Sequence, residues 1–300
     1  MDDSRPRPGG PGGRAARQQQ RQHLEKAVQL LNALVAESPS EPSYRHALAL
    51  CYRDGRDVLA APDEPDEDSP TDRAVALLEQ LVREFPDVAD YRFDLCETYA
   101  MGAPPGRGPD GQDFSVAEQR LQKALAISKE LVARNPNVPE YLASGAHIRH
   151  NLADALRRLG RLDEAAQAQR QAVTLQARLV AQAPDLVAHK ILLAVFRKSL
   201  ADVLLLAGKL DEARTAAGEA VAQAEQVLQA HPDAWVLHAV LMEGYRVQSA
   251  ALRGAGEAAL ADQADQTAET HRRQFRPGGP GRQGPGGPGP GAGFGPGPPP

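Results

Sequence analysis

The residues best suited to metal chemistry in this chain of 300 residues are two histidines and a short acidic run. His147 and His150 stand three positions apart, a spacing at which two side chains on one helix can bind the same metal ion. No third ligand is evident in the sequence, and a zinc site needs three or four. The acidic run at 62–68 lacks the central glycine and the distal glutamate of a calcium-binding EF-hand loop. We therefore expect no metal ion and no other cofactor.

Two cysteines, Cys51 and Cys96, are the candidate nucleophiles. Both lie in apolar stretches that are expected to be helical, where a cysteine is more often a small core residue. They lack CxxC and Cys/His spacings, which indicates a reducing compartment or indifference to it. No P-loop, GxSxG, HExxH or GxGxxG motif occurs at a usable place. The sequence therefore predicts that the protein is not an enzyme.

The composition disfavours nucleic acid and membrane as partners. The net charge is -5, whereas a general nucleic-acid-binding protein needs a basic face that displaces counterions from phosphates. No apolar run approaches the ~20 residues that span a bilayer, and no apolar segment of a secretory signal follows the first residues. We expect a cytoplasmic protein. Its aromatic content of 4% and its many Ala, Leu and Val residues favour closely packed helices.

Glycine, alanine and proline recur along the chain at a fixed spacing of 48 residues. The recurring residues are Gly160, Gly208 and Gly256, then Ala165, Ala213 and Ala261, then Pro136, Pro184 and Pro232. Glycine suits a turn between two helices because it adopts a positive φ at little cost. Alanine suits a place where neighbouring helices approach closely. A fixed period of this size predicts an array of helical repeats.

The repeat resembles the tetratricopeptide repeat (TPR), whose motif combines a small residue after a leucine, a turn glycine, two spaced alanines and a closing proline. The matching residues are Leu152, Ala153, Leu156, Gly160, Ala165 and Ala172, then Leu200, Ala201, Leu204, Gly208, Ala213 and Ala220, with Leu252, Gly256, Ala261 and Ala268 in a weaker third copy. The family's aromatic position in the second helix of a pair is different here. It holds Gln169, Ala217 and Asp265, which predicts looser packing between units.

The period of 48 residues exceeds the family's period of about 34. Units before Phe114 are shorter, and each later helix is longer by seven or eight residues. Two helical turns take about 7.2 residues, so this addition keeps the buried face of each helix in register. The sequence thus predicts short repeats followed by longer ones in one continuous stack.

The resemblance covers 15–275 and implies an all-α fold, a TPR-like α-solenoid of antiparallel helix pairs with about eleven helices. We expect loops at 56–71 and 102–113, where acidic or turn-forming residues gather. The segments 1–14 and 276–300 hold little apolar surface, so both are expected to be disordered. The second of these is a Gly/Pro-rich tail.

The resemblance implies a protein-interaction scaffold or adaptor, because the first helices of such arrays usually line a concave face that binds a partner peptide or helix. If Leu152 and Leu156 face the core, an adjacent stripe and its copies 48 residues on form a ladder along that face. The predicted partner-binding residues are His150, Lys198, Arg246, Asp154, Asp202, Arg157 and Arg253. The three basic positions of the ladder could bind an acidic peptide or a C-terminal carboxylate. The alternative is that all seven are ordinary solvated side chains.

Two other functions fit the same sequence. Phrases such as Gly-Arg-Leu-Asp-Glu-Ala at 160–165 look like repeat regions attached to bacterial signalling proteins, including serine/threonine kinases. The chain could then be a detached regulatory module of a kinase or transcription-regulation system. The long Ala-rich helices would also suit a self-associating structural protein.

Overall fold

The computed structural model describes residues 11–59, 69–101 and 114–275. These residues form helices and connecting turns, with no β-strand among them. The helices are α1 (Pro11–Glu37), α2 (Pro42–Asp54), α3 (Arg56–Leu59), α4 (Pro70–Glu84), α5 (Ala89–Met101), α6 (Phe114–Arg134), α7 (Pro139–Arg158), α8 (Leu162–Gln182), α9 (Val187–Leu206), α10 (Leu210–Ala230), α11 (Leu237–Gly254) and α12 (Ala258–Gln274). The predicted disorder at 1–10 and 276–300 and the predicted loop at 102–113 lie outside the described residues.

The structure differs from the predicted helix count at α3, a short helix within the segment that the sequence predicts to be a loop. Leu59 of α3 is partly buried against the small core formed by α1, α2 and α4, which explains why this segment continues as a helix. The predicted loop also ends earlier than expected. Ser69 caps α4, since its hydroxyl accepts a hydrogen bond from the backbone N–H of Asp72. At the other end, α1 begins at Pro11, four residues before the predicted start.

Consecutive helices pack against each other along the described chain, and this arrangement confirms the TPR-like α-solenoid of antiparallel helix pairs. We call α2, α5, α7, α9 and α11 the first helices, and α1, α4, α6, α8, α10 and α12 the second helices. Successive first helices approach each other, as α5 approaches α7 and α9 approaches α11. No two second helices come as close within the described residues. The first helices therefore form the inner, concave side of the stack.

The turn between the two helices of a pair explains the glycine column. Gly160, Gly208 and Gly256 have φ of 76°, 73° and 80°, which places them in the left-handed region. At the first turn the N–H of Arg161 donates to the carbonyl of Leu156 over 2.9 Å, and the other two turns repeat this bond. This is the Schellman pattern that ends a helix and reverses the chain.

The alanine column lies where helices touch, because Ala165, Ala213 and Ala261 are fully buried. The looser packing expected at Gln169 is not found. Gln169 is also buried, and its amide Nε2 donates to the backbone carbonyl of Phe196 over 2.8 Å. Hydrogen bonding thus compensates for the missing aromatic ring at this position.

Candidate protein-binding face

One stripe of side chains on each first helix is left uncovered by packing, and these stripes form the candidate site. On α7, α9 and α11 the stripe holds mostly partly exposed residues: His147, His150, Asp154 and Arg157, then Val195, Lys198, Asp202 and Leu205, then Glu243, Arg246, Ala250 and Arg253. Asp202 of α9 interacts electrostatically with Arg157 of α7 and with Glu243 of α11. All seven predicted partner-binding residues therefore belong to neighbouring stripes of one face.

His150 contributes an aromatic surface to this face instead of a positive charge. Its ring stacks on Phe196, with ring centroids 4.6 Å apart and 21° between the planes. Its Nδ1 lies 3.0 Å from the side-chain oxygen of Gln169. Burial lowers the pKa of His150 below its ordinary value, so the ring is neutral at pH 7. The predicted basic ladder is therefore wrong at its first position.

The two remaining cations of the ladder pair with carboxylates on their own helices. Lys198 Nζ lies 3.0 Å from Asp202 Oδ2, and Arg246 Nη1 lies 2.9 Å from Glu243 Oε1. Burial raises the pKa of Asp202, although the ammonium of Lys198 acts in the opposite direction. The face thus carries alternating charges, and an acidic partner must compete with the acceptors already present.

The other predicted residues are also paired. Asp154 accepts hydrogen bonds from Arg157 and Arg158 over 2.6 and 2.8 Å, and these guanidinium groups help to lower its pKa against the effect of burial. Arg253 Nη2 lies 3.0 Å from Asp262 and 2.6 Å from Asp265 on α12. Arg253 therefore connects α11 to the last helix of the stack.

The face continues onto α2 and α5 with residues that the sequence did not single out. The carboxylate of Asp94 lies 2.7 Å from His46 Nε2 and accepts a hydrogen bond of 2.6 Å from Arg53. Glu97 accepts a hydrogen bond from the hydroxyl of Ser144 on α7. Burial raises the pKa of Glu97, for which Ser144 is the hydrogen-bond partner. His46 and Asp94 are 48 residues apart, so the period itself was a signal that could have identified this pair.

His147 and His150 do not converge on a common point as two metal ligands would. The ring of His147 instead meets Phe196 edge-on, with centroids 5.6 Å apart and an angle of 88°. Within the described ranges, no group of three or more His, Cys, Asp or Glu side chains is arranged to hold a metal ion.

The two cysteines are placed as core residues. Cys96 is fully buried, its Sγ lies 3.2 Å from the carbonyl oxygen of Ala124, and burial raises the pKa of its thiol to about 12. Cys51 is half-buried, and its pKa is likewise raised by burial. A protonated thiol is a poor nucleophile at pH 7.

The described helices include none that is both long enough and apolar enough to cross a membrane. Trp235, expected from the sequence to pack the start of its helix, is 60% exposed and stacks on Phe275.

Comparison with solved structures identifies proteins of similar architecture. The chain is similar to BtubC (BKLC) from P. vanneervenii, with 16% identity and a TM-score of 0.54 over 91% of this chain and 97% of that one. Weaker similarity is found to MamA, with 16% identity and a TM-score of 0.40 over 68% and 90% of the two chains. TTC0263, described as a thermophilic TPR protein in Thermus thermophilus, is 20% identical with a TM-score of 0.35 over 76% and 91%. At these identities the similarity to BtubC shows a shared fold. No family model and no curated protein matches the sequence.

Proposed function

We propose that this chain is a protein-interaction scaffold whose concave face binds an extended peptide or a helix of a partner protein. The observation that carries the proposal is the continuous stripe of uncovered side chains on α7, α9 and α11, because core packing alone would not arrange polar groups in this register. Solenoids built from helix pairs offer such extended inner surfaces for binding. The proposal includes no catalytic step, and it places the scaffold in the cytoplasm.

The partner we propose carries acidic groups. Lys198 and Arg246 would each exchange an intramolecular carboxylate for one from the partner, and Asp154, Asp202, Arg157 and Arg253 would order the neighbouring charges. The neutral stack of His150 on Phe196 would offer a flat surface to an apolar or planar side chain next to those groups. Alternating charge on the face supports a partner of defined charge spacing over a uniformly acidic one.

A bacterial kinase or transcription regulator is the specific partner class that the Gly-Arg-Leu-Asp-Glu-Ala phrase at 160–165 favours. In that case the chain would act as a detached regulatory module. The same binding experiment identifies the partner and so separates this possibility from a general adaptor.

The test is affinity capture with the full chain and with a variant carrying His150→Glu, Lys198→Glu and Arg246→Glu. A matched control carries Arg83→Glu, Lys129→Glu and Arg214→Glu, which make a comparable charge change on exposed positions of second helices. We expect the partner to be lost with the first variant and kept with the control. Equal capture by both variants would refute the binding face.

A further inference from the structure

α1 is a second helix that has no first helix before it in the described structure, and one of its flanks is consequently open. It packs mainly on α2 and α3, whereas α8 is covered by both α7 and α9. Leu34 stands five residues before the proline that closes its unit. The residues at the same position of the next four second helices are at most 3% exposed: Leu81, Leu131, Leu179 and Val227. Leu34 is 37% exposed and Leu30 is 58% exposed, so α1 presents a core-type surface to solvent.

The open flank of α1 has the spacing of a helix-pairing seam. Its residues alternate at intervals of four and three: Ala16, Gln20, His23, Ala27, Leu30 and Leu34. That spacing keeps one stripe facing a neighbouring helix over many turns. From Ala16 to Leu34 the stripe, which we call the outer stripe, extends about 27 Å along the helix. A separate stripe that includes Val28, Leu31 and Val35 packs against the body of the protein.

The N-terminal half of α1 projects beyond that body. The side chains of residues 15–20 are all exposed, and the first contact with the next helices is made by Leu24, near Gly55. A helical segment of this length without packing is marginally stable in water. A partner along the outer stripe would stabilise it.

The charges of α1 indicate what that partner is. Its first turn has no acidic residue and its last turn no basic one, so the charges do not complement the helix dipole. Arg17 lies in the N-terminal half, Glu37 ends the helix, and both are exposed without an ion pair among the described residues. They are equidistant from Ala27. In an antiparallel pair centred there, Arg17 meets Glu37 of the partner subunit twice, and the two helix dipoles oppose each other. A parallel pair would instead bring like charges together.

We propose that the outer stripe of α1 binds the same stripe of a second copy in antiparallel orientation. The resulting dimer joins two solenoids at their N-terminal ends and leaves the concave faces free. It does not depend on the proposed scaffold function.

The test measures the mass of the full chain by sedimentation from about 1 to 100 µM, because dimerisation depends on protomer concentration. We expect a monomer–dimer equilibrium in the wild type. Leu34→Lys should raise the dimer dissociation constant at least tenfold, because the residue acts twice in a symmetric interface. Leu260→Lys, at an exposed leucine of α12 at the other end, is the matched control and should leave the constant unchanged. A wild type that stays monomeric throughout, or a dimer indifferent to Leu34→Lys, would overturn the proposal.

Charge exchange tests the orientation without touching the apolar contacts. Arg17→Glu alone and Glu37→Arg alone should each weaken the dimer, and the two changes combined in one chain should restore it. Circular dichroism verifies that each variant keeps its helix content. Failure of the combined variant to recover the dimer would refute the antiparallel arrangement.

Discussion

His150 stacks on Phe196, a residue of the next repeat, with ring centroids 4.6 Å apart. The contact joins α7 to α9 on the inner side of the solenoid, and Gln169 of α8 binds both partners through its amide. A position that the repeat period marks as part of a basic ladder is therefore an element of the packing between units. Its chemistry is aromatic and neutral at pH 7.

The neutrality of His150 predicts a loss of stability in mild acid. Burial lowers its pKa in the folded state, so the unfolded chain binds a proton more readily. Stability should therefore fall as the pH decreases through the unfolded value of about 6.5. In His150→Gln this contribution disappears, so the difference in melting temperature between about pH 7.5 and about pH 5.5 should become smaller than in the wild type.

Calorimetry of both proteins at equal ionic strength measures this difference, because salt also screens the exposed charges. His231→Gln, at an exposed histidine, is the control. An unchanged difference in His150→Gln would contradict the buried, neutral ring.

The buried amide of Gln169 predicts a cost for a substitution that keeps the size of the side chain. Gln169→Leu removes the hydrogen bond to the Phe196 carbonyl and the contact with His150 Nδ1. Leaving such buried groups without partners costs about 1–3 kcal/mol, which urea denaturation can measure. Gln167→Leu, at an exposed position of the same helix, should change the free energy of unfolding by less than about 0.5 kcal/mol. Equal effects of the two substitutions would show that the amide is not a structural contact.

The glycine turn predicts opposite effects of one substitution at two sites. Gly160→Ala meets no atom within 4 Å, so its cost is the backbone strain of a positive φ, about 1–2 kcal/mol. Gly218 lies inside α10, where a Cβ would make one ordinary contact, with the Gln248 side chain at 3.7 Å. Gly218→Ala should therefore stabilise the fold by about 0.5–1 kcal/mol. Chemical denaturation of both variants checks the signs. A neutral Gly160→Ala would contradict the left-handed turn.

Much of the fold could be predicted from the sequence because the period repeats local signals. Gly160 and its copies mark turns that require a positive φ, and Ala165 and its copies mark close helix contacts. The extra helix α3 could not be predicted, because four residues carry no periodic pattern and Leu59 is held by tertiary contacts.

The site was less predictable, since the sequence gives the face of a helix and not the partners of its side chains. The stripe containing Lys198 and Arg246 was located correctly on the first helices, but their carboxylate partners three or four residues away were not anticipated. Phe196 reaches His150 from 46 residues away in sequence, and this distance depends on how two repeats stack. The exposure of Leu34 likewise reflects an end of the stack, where the repeat pattern alone predicts burial.

The most direct test of the concave binding face is hydrogen exchange of the full chain, measured with and without the partner obtained by affinity capture. Amides that become protected on binding mark the segments that the partner covers. The proposal predicts added protection in α7, α9 and α11 and little change in α8 and α10. Protection confined to the second helices, with the first helices unchanged, would contradict it.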